Sequence, residues 1–185
     1  MRGFGISLTN ATNAYSASNV INSSGSPTIE GISDKGLAYG IYSNARNTGT
    51  ILVKGADVKA VSTSNNAFGI NNQGAKSVTI TGTNAINTKV EGTSTSATGY
   101  GIYNNVGTLK VWNTEATTSS INKNYPLITG STYGVHAGSG SEFEWYDGKL
   151  VGKTAFTGKE PSLLDECKYT TTTSNSVQTS VITLK

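Results

Sequence analysis

The chain has 185 residues, 35% apolar and 14% charged, with a net charge of +3. That is too polar for a thick-cored globular domain, yet too weakly charged for a disordered chain, given nine Tyr, four Phe and two Trp. Its lysines and arginines form no basic run, which excludes the electrostatic footprint of a nucleic-acid binder.

The single cysteine, Cys167, excludes an internal disulfide and offers no metal-site spacing. No apolar run approaches the roughly 18–20 residues that a membrane-spanning helix needs. Few strong helix formers and 22 glycines point to extended, turn-rich structure. The start carries no apolar stretch of signal-peptide length, which fits either a cytosolic protein or a segment of a longer exported chain; because the first repeat unit begins at residue 4 without a lead-in, we expect the segment.

An aromatic-Gly-aliphatic step recurs along the chain. It appears as Phe4-Gly5-Ile6, Tyr39-Gly40-Ile41, Phe68-Gly69-Ile70, Tyr100-Gly101-Ile102 and Tyr133-Gly134-Val135, at spacings of 35, 29, 32 and 33 residues. No amphipathic helical pattern accompanies it, so the unit is expected to be a coil of about three short strands. Period-two alternation within the step places the ring and the aliphatic residue inside. The glycine would then face out, beside Ser7, Tyr42, Asn71, Tyr103 and His136.

A second strand follows: Thr50–Gly55, Ser77–Gly82, Thr108–Asn113 and Glu142–Gly148. Alternation here points Ile51/Val53, Val78/Ile80, Leu109/Val111 and Phe143/Trp145 inward. Leu52/Lys54, Thr79/Thr81, Lys110/Trp112 and Glu144/Tyr146 point outward. A third, less regular strand is expected over 56–61, 83–90, 114–121 and 149–156. Stacking such units at about 4.8 Å buries what one unit alone cannot. The predicted fold is all-β: a right-handed parallel β-helix of about five coils over 1–152, with units starting near 4, 39, 68, 100 and 133. Residues 153–185 would complete the last coil and cap it, with a short helical turn at 161–166 and strands at 169–173 and 180–184.

Three segments carry a resemblance: Tyr-Gly-Ile-Tyr-Ser-Asn at 39–44, Tyr-Gly-Ile-Tyr-Asn-Asn at 100–105, and Trp-Tyr-Asp-Gly-Lys-Leu-Val-Gly at 145–152. Over roughly residues 4–160 the chain resembles the repeat-rich β-helix surface proteins of Gram-positive gut bacteria. The resemblance implies an exported, adhesin-like or cell-envelope protein, extracellular or held at the cell surface.

The candidate ligand-binding residues are the outward aromatics Trp112, Tyr146, Tyr42 and Tyr103, since exposed rings can stack on sugars. The competing reading is that these rings only stack as ladders that stabilise the coil. Glu142 and Glu144 alternate onto one face about 6.6 Å apart by strand rise, near the spacing an inverting glycosidase uses, but Glu pairs on strands are usually solvated. Asp147 sits in an Asp-Gly turn signal. His136, the only histidine, has no Ser or Cys partner in a recognisable motif. No catalytic residue, metal or cofactor is assigned. The expected function is a non-enzymatic surface stalk or adhesin segment that meets glycans or host surface proteins. It would be a monomeric segment with no nucleic-acid partner and no membrane insertion. The alternative is a carbohydrate-active β-helix.

Overall fold

The computed structural model describes residues 2–8, 19–22, 27–83, 85, 87–114 and 125–185. Its strands fall into repeating sets. The first set is β1 (Gly3–Leu8), β2 (Asn19–Asn22) and β3 (Thr28–Ser33). The second is β4 (Ala38–Ser43), β5 (Thr50–Lys54) and β6 (Asp57–Ser62), and the third is β7 (Ala67–Asn72), β8 (Ser77–Gly82) and β9 (Lys89–Ser94). In the next two sets the first and second strands run together around the corner, as β10 (Gly99–Asn113) followed by β11 (Leu127–Gly130), then β12 (Tyr133–Trp145) followed by β13 (Lys149–Gly152). The chain ends in β14 (Thr154–Gly158), β15 (Cys167–Ser174) and β16 (Val177–Leu184).

Among the described residues the pairings between successive sets are parallel and hold one register, apart from a single shift between Asn104 and Val106 where β10 meets β12, so the chain is a parallel β-solenoid. Tyr39 pairs with Phe68 and Ile41 with Ile70, and the same positions continue to Tyr100 and Ile102, then to Tyr133 and Val135. First and second strands form one nine-stranded sheet, because β10 pairs with β7 through its first half and β8 through its second. The five third strands form a separate sheet, which β16 and β15 extend to seven strands.

The core consists of ladders of like residues. Ile51, Val78, Leu109 and Phe143 make one, and Val53, Ile80, Val111 and Trp145 another, all essentially fully buried. Val58, Val90, Ile128 and Leu150 face them from the third-strand sheet. The inward set expected for the second strand is therefore correct. At the corner after the first strand, buried polar groups are stitched together. The Asn72 amide donates to Asn104 Oδ1 at 2.8 Å and to the Val106 carbonyl at 2.9 Å.

The first strand differs from expectation. Its ring lies outside and its glycine inside. The rings of Tyr39 and Tyr42 are 4.9 Å apart, and those of Tyr100 and Tyr103 are 5.2 Å apart, so ring and outward residue share a face. Ile41 and Ile70 belong to the core cluster, while Tyr39 and Phe68 do not. Two consecutive residues, glycine and aliphatic, thus turn inward, and because every unit makes the same break in alternation the pairing stays one-to-one. The reason is steric. A Cβ on Gly40 would lie 2.7 Å from Val58 Cγ1 and 2.5 Å from the Gly69 carbonyl oxygen. On Gly69 it would lie 2.7 Å from Val90 Cγ1 and 2.5 Å from the Gly101 carbonyl oxygen. With those valines in the gap, the two sheets leave no room for a side chain on the glycine, still less a ring.

The third strands also shift. β6 lies where expected, but β9 and β11 begin later than 83–90 and 114–121, and residues 115–121 lie outside the described residues. Only Gly55 and Ala56 join β5 to β6, whereas residues 83–88 join β8 to β9 and residues 114–126 join β10 to β11. A fixed offset from the second strand therefore fails. The stretch 149–156 is divided between β13 and β14.

Beyond the last full set, β14 pairs with β12, and Ser162 bridges to Glu144 in the second-strand position. The stretch 161–166 is therefore not the expected helical turn: the Ser162 N–H donates to the Phe143 carbonyl at 2.7 Å, extending the ladder. β15 and β16, which cover the two strands expected at 169–173 and 180–184, form a hairpin, and β16 joins the third-strand sheet by pairing antiparallel to β13. Among the described residues no helix is long and apolar enough to cross a membrane.

One substitution tests the close approach. Gly69→Ala forces a carbon into occupied space against backbone, and it should lower stability by about 1–3 kcal/mol in urea unfolding. Unchanged stability would mean that the sheets are further apart than described.

Candidate functional surface

The outer face of the first strands carries two adjacent columns of side chains. Phe4, Tyr39, Phe68, Tyr100 and Tyr133 form the first, with successive centroids 5.1–5.3 Å apart and nearly parallel planes. That spacing is set by the strand separation, because in-register stacking places each ring over the last. Tyr39 and Phe68 lose most of their exposure, at 5% and 7%, against 39% for Phe4 at the end of the column, while Tyr100 stays half-buried. Burial raises the hydroxyl pKa of Tyr39 and Tyr100.

Tyr42, Asn71, Tyr103 and His136 form the second column. Tyr42 tilts against Phe4 and Tyr39, at 5.8 and 4.9 Å. Tyr103 sets its edge against Phe68 and Tyr100 and stacks on His136 at 4.6 Å. Tyr42 and Tyr103 are separated by Asn71, so these two candidate residues do not touch but share one continuous strip.

Trp112 and Tyr146 stand on the second-strand face. The Tyr146 N–H donates to the Val111 carbonyl at 2.9 Å, which makes the two residues neighbours across the ladder, as their spacing predicted. Lys110 occupies the space between their rings, its ammonium 4.5 Å from the Trp112 ring centre and 4.9 Å from that of Tyr146. The same ammonium reaches Glu144 at 3.6 Å. Tyr146 is held protonated by burial first and by the Glu144 carboxylate second. The indole N–H of Trp112 and the Thr81 hydroxyl are buried without a partner among the described residues.

Several acidic groups take part in ion pairs and turns. Glu142 pairs with Lys159 at 3.1 Å and Glu144 with Lys110. On the third-strand face, Glu30 meets Lys59 at 3.2 Å and Asp57 meets Lys89 at 3.7 Å. Register places these opposite charges side by side, where like charges would repel. Asp147 is fully buried and accepts a hydrogen bond from the Gly148 N–H at 2.7 Å, the turn role expected for it, and Gly148 itself has φ +99°. Cys167 is buried, and desolvation raises its thiol pKa. Among the described residues, no group of three or more His, Cys, Asp or Glu is placed to hold a metal ion.

The alternation rule, by putting the rings inside, missed the first column as a surface feature. A signal was available. Tyr39/Tyr42, Tyr100/Tyr103 and Tyr133/His136 are ring pairs three residues apart, a spacing that shares a face only if the alternation breaks between them.

Burial lowers the His136 pKa from 6.5. The unfolded state then takes up a proton more readily than the folded state, so this contribution is intact above pH 6.5 and stability falls as pH drops below it. As His136 is the only histidine, His136→Gln should flatten the stability profile between pH 7 and the carboxylate range; an unchanged slope in urea titrations would contradict a lowered pKa for this half-buried imidazole. No protein-family model, no curated protein and no solved structure matches the chain, and its role has to be read from this geometry.

Proposed function

We propose that the chain is a non-enzymatic β-solenoid segment of a cell-surface protein, a stalk or adhesin part that presents its first-strand face to a glycan or a host surface protein. The observation that carries this reading is the continuous double column of outward aromatic and polar side chains on that face. Surface display is supported by the resemblance of the segments at 39–44, 100–105 and 145–152 to envelope β-helix proteins.

The geometry ranks the contact residues. In the first column each interior ring covers its neighbours' faces, leaving edges and phenolic hydroxyls for a partner. The second column is broken by Asn71, so Tyr42 and Tyr103 are not sandwiched between rings of their own column. An amphipathic ring of this kind suits a sugar or a protein side chain. Trp112 and Tyr146 already hold the Lys110 ammonium over their rings, and a sugar would have to displace it. Tyr42 and Tyr103 are therefore the stronger contacts. A polysaccharide-cleaving role would require two carboxyls free to act, whereas Glu142 and Glu144 are each engaged by a lysine.

A glycan array with matched host-protein panels tests the reading. Tyr42→Ala with Tyr103→Ala should weaken binding about tenfold or more, since stacked aromatic contacts contribute about 0.5–1.5 kcal/mol each beyond their buried area. Trp112→Ala with Tyr146→Ala should have a smaller effect. Release of sugar fragments from a polysaccharide panel, without retained binding, would sink the proposal.

A further inference from the structure

The C-terminal hairpin leaves one strand edge open. β15 is the outermost strand of its sheet and pairs only with β16. After Cys167, all seven of its residues are exposed. The strand has no proline and no bulge, and its one charged side chain is Lys168. Devices that usually blunt an edge are thus nearly missing.

The turn fixes which backbone groups point outward. Ser174 and Val177 close a two-residue loop, Asn175-Ser176, with both φ values positive at 49° and 61°. In such a loop the closing pair exchanges both backbone hydrogen bonds, and hydrogen-bonded pairs then alternate along the ladder. Thr172, Thr170 and Lys168 therefore turn their N–H and C=O groups towards β16. The far end agrees: the Lys185 N–H donates to the Glu166 carbonyl at 2.9 Å, while the Cys167 N–H turns away to the Leu164 carbonyl at 3.1 Å. Tyr169, Thr171 and Thr173 then direct their N–H and C=O groups away from the sheet, and none of these groups finds a backbone partner among the described residues.

We propose that this edge pairs with the same edge of a second copy, antiparallel, about a two-fold axis at Thr171. In that register Thr171 meets Thr171 of the second copy and Tyr169 meets Thr173, so all three outward-pointing residues are hydrogen-bonded pairs at once. The charges fit only this direction. Antiparallel pairing puts Lys168 opposite Ser174 and separates the two lysines by six residues, about 20 Å. Parallel in-register pairing would set them about 4.8 Å apart, where they repel. Such a dimer replaces the monomeric segment expected from the sequence and doubles the number of aromatic strips that one particle presents.

Analytical ultracentrifugation of the full chain over a concentration series tests this. The wild type should shift from 19.2 kDa towards about twice that mass. Thr171→Pro should return it to the monomer mass, because that N–H is not used by the hairpin and proline is tolerated on an edge strand. Thr171→Lys and Thr171→Glu should each be monomeric alone, and an equimolar mixture of the two should recover the dimer, since the axis places the two side chains opposite each other. If Thr171→Pro loses its strand signal by circular dichroism, the lysine–glutamate pair decides alone. A wild type that stays monomeric, a dimer that survives the substitutions, a mixture that fails to associate, or growth beyond a dimer through pairing of β15 with the distant edge strand β3 would each overturn the proposal.

Discussion

The rest of the structure depends on how closely the first-strand and third-strand backbones approach each other. Val58, Val90 and Ile128 press against Gly40, Gly69 and Gly101, at distances that leave no room for a Cβ on the glycine side. Further along the same gap, a Cβ on Gly92 would lie 1.8 Å from the Tyr100 carbonyl oxygen. At these glycines the interior is therefore thin and filled by the branched aliphatic side chains of the third strands. It widens towards the second strands, where it takes Leu109, Phe143 and Trp145. A thin core of this shape accounts for the low apolar content, because each unit needs only a handful of buried side chains and borrows the remainder of its contacts from the units above and below.

Once the interior excludes side chains, the ring that precedes each glycine has only the outside to occupy. In-register stacking turns that constraint into a ladder, since every unit repeats the same exclusion at the same position. The rings then shield one another, and this is why Tyr39 and Phe68 are buried although they lie outside the core. Structure and surface chemistry are thus set by one event, and the outer face inherits its regularity from the crowding behind it. The positions that vary between units, Tyr42, Asn71, Tyr103 and His136, make the face chemically uneven along its length.

Much of this was legible from residues. The second strand alternates without interruption, so Ile51/Val53 and Leu109/Val111 could be assigned inward from period two alone. The first strand could not be read the same way, because a glycine permits the local break in alternation, and its reason for being there is a contact with a strand about twenty residues away. The third strand carries its own signature, Thr28-Ile29-Glu30-Gly31, Lys89-Val90-Glu91-Gly92, Leu127-Ile128-Thr129-Gly130 and Lys149-Leu150-Val151-Gly152. Corners of unequal length hide it from any search at fixed spacing. Among the candidate residues, the proximity of Trp112 and Tyr146 followed from strand register, whereas the lysine between their rings did not, since it depends on where a flexible side chain settles.

The most direct test of the central claim is a proton–proton distance measurement by nuclear magnetic resonance on protein with labelled methyl groups and aromatic rings. The account predicts contacts from the Gly69 α-protons to the Val90 methyls, and from the Phe68 ring to the Tyr103 ring. Contacts from the Phe68 ring to the methyls of Val90 or Ile128 would put the rings inside the coil and contradict it.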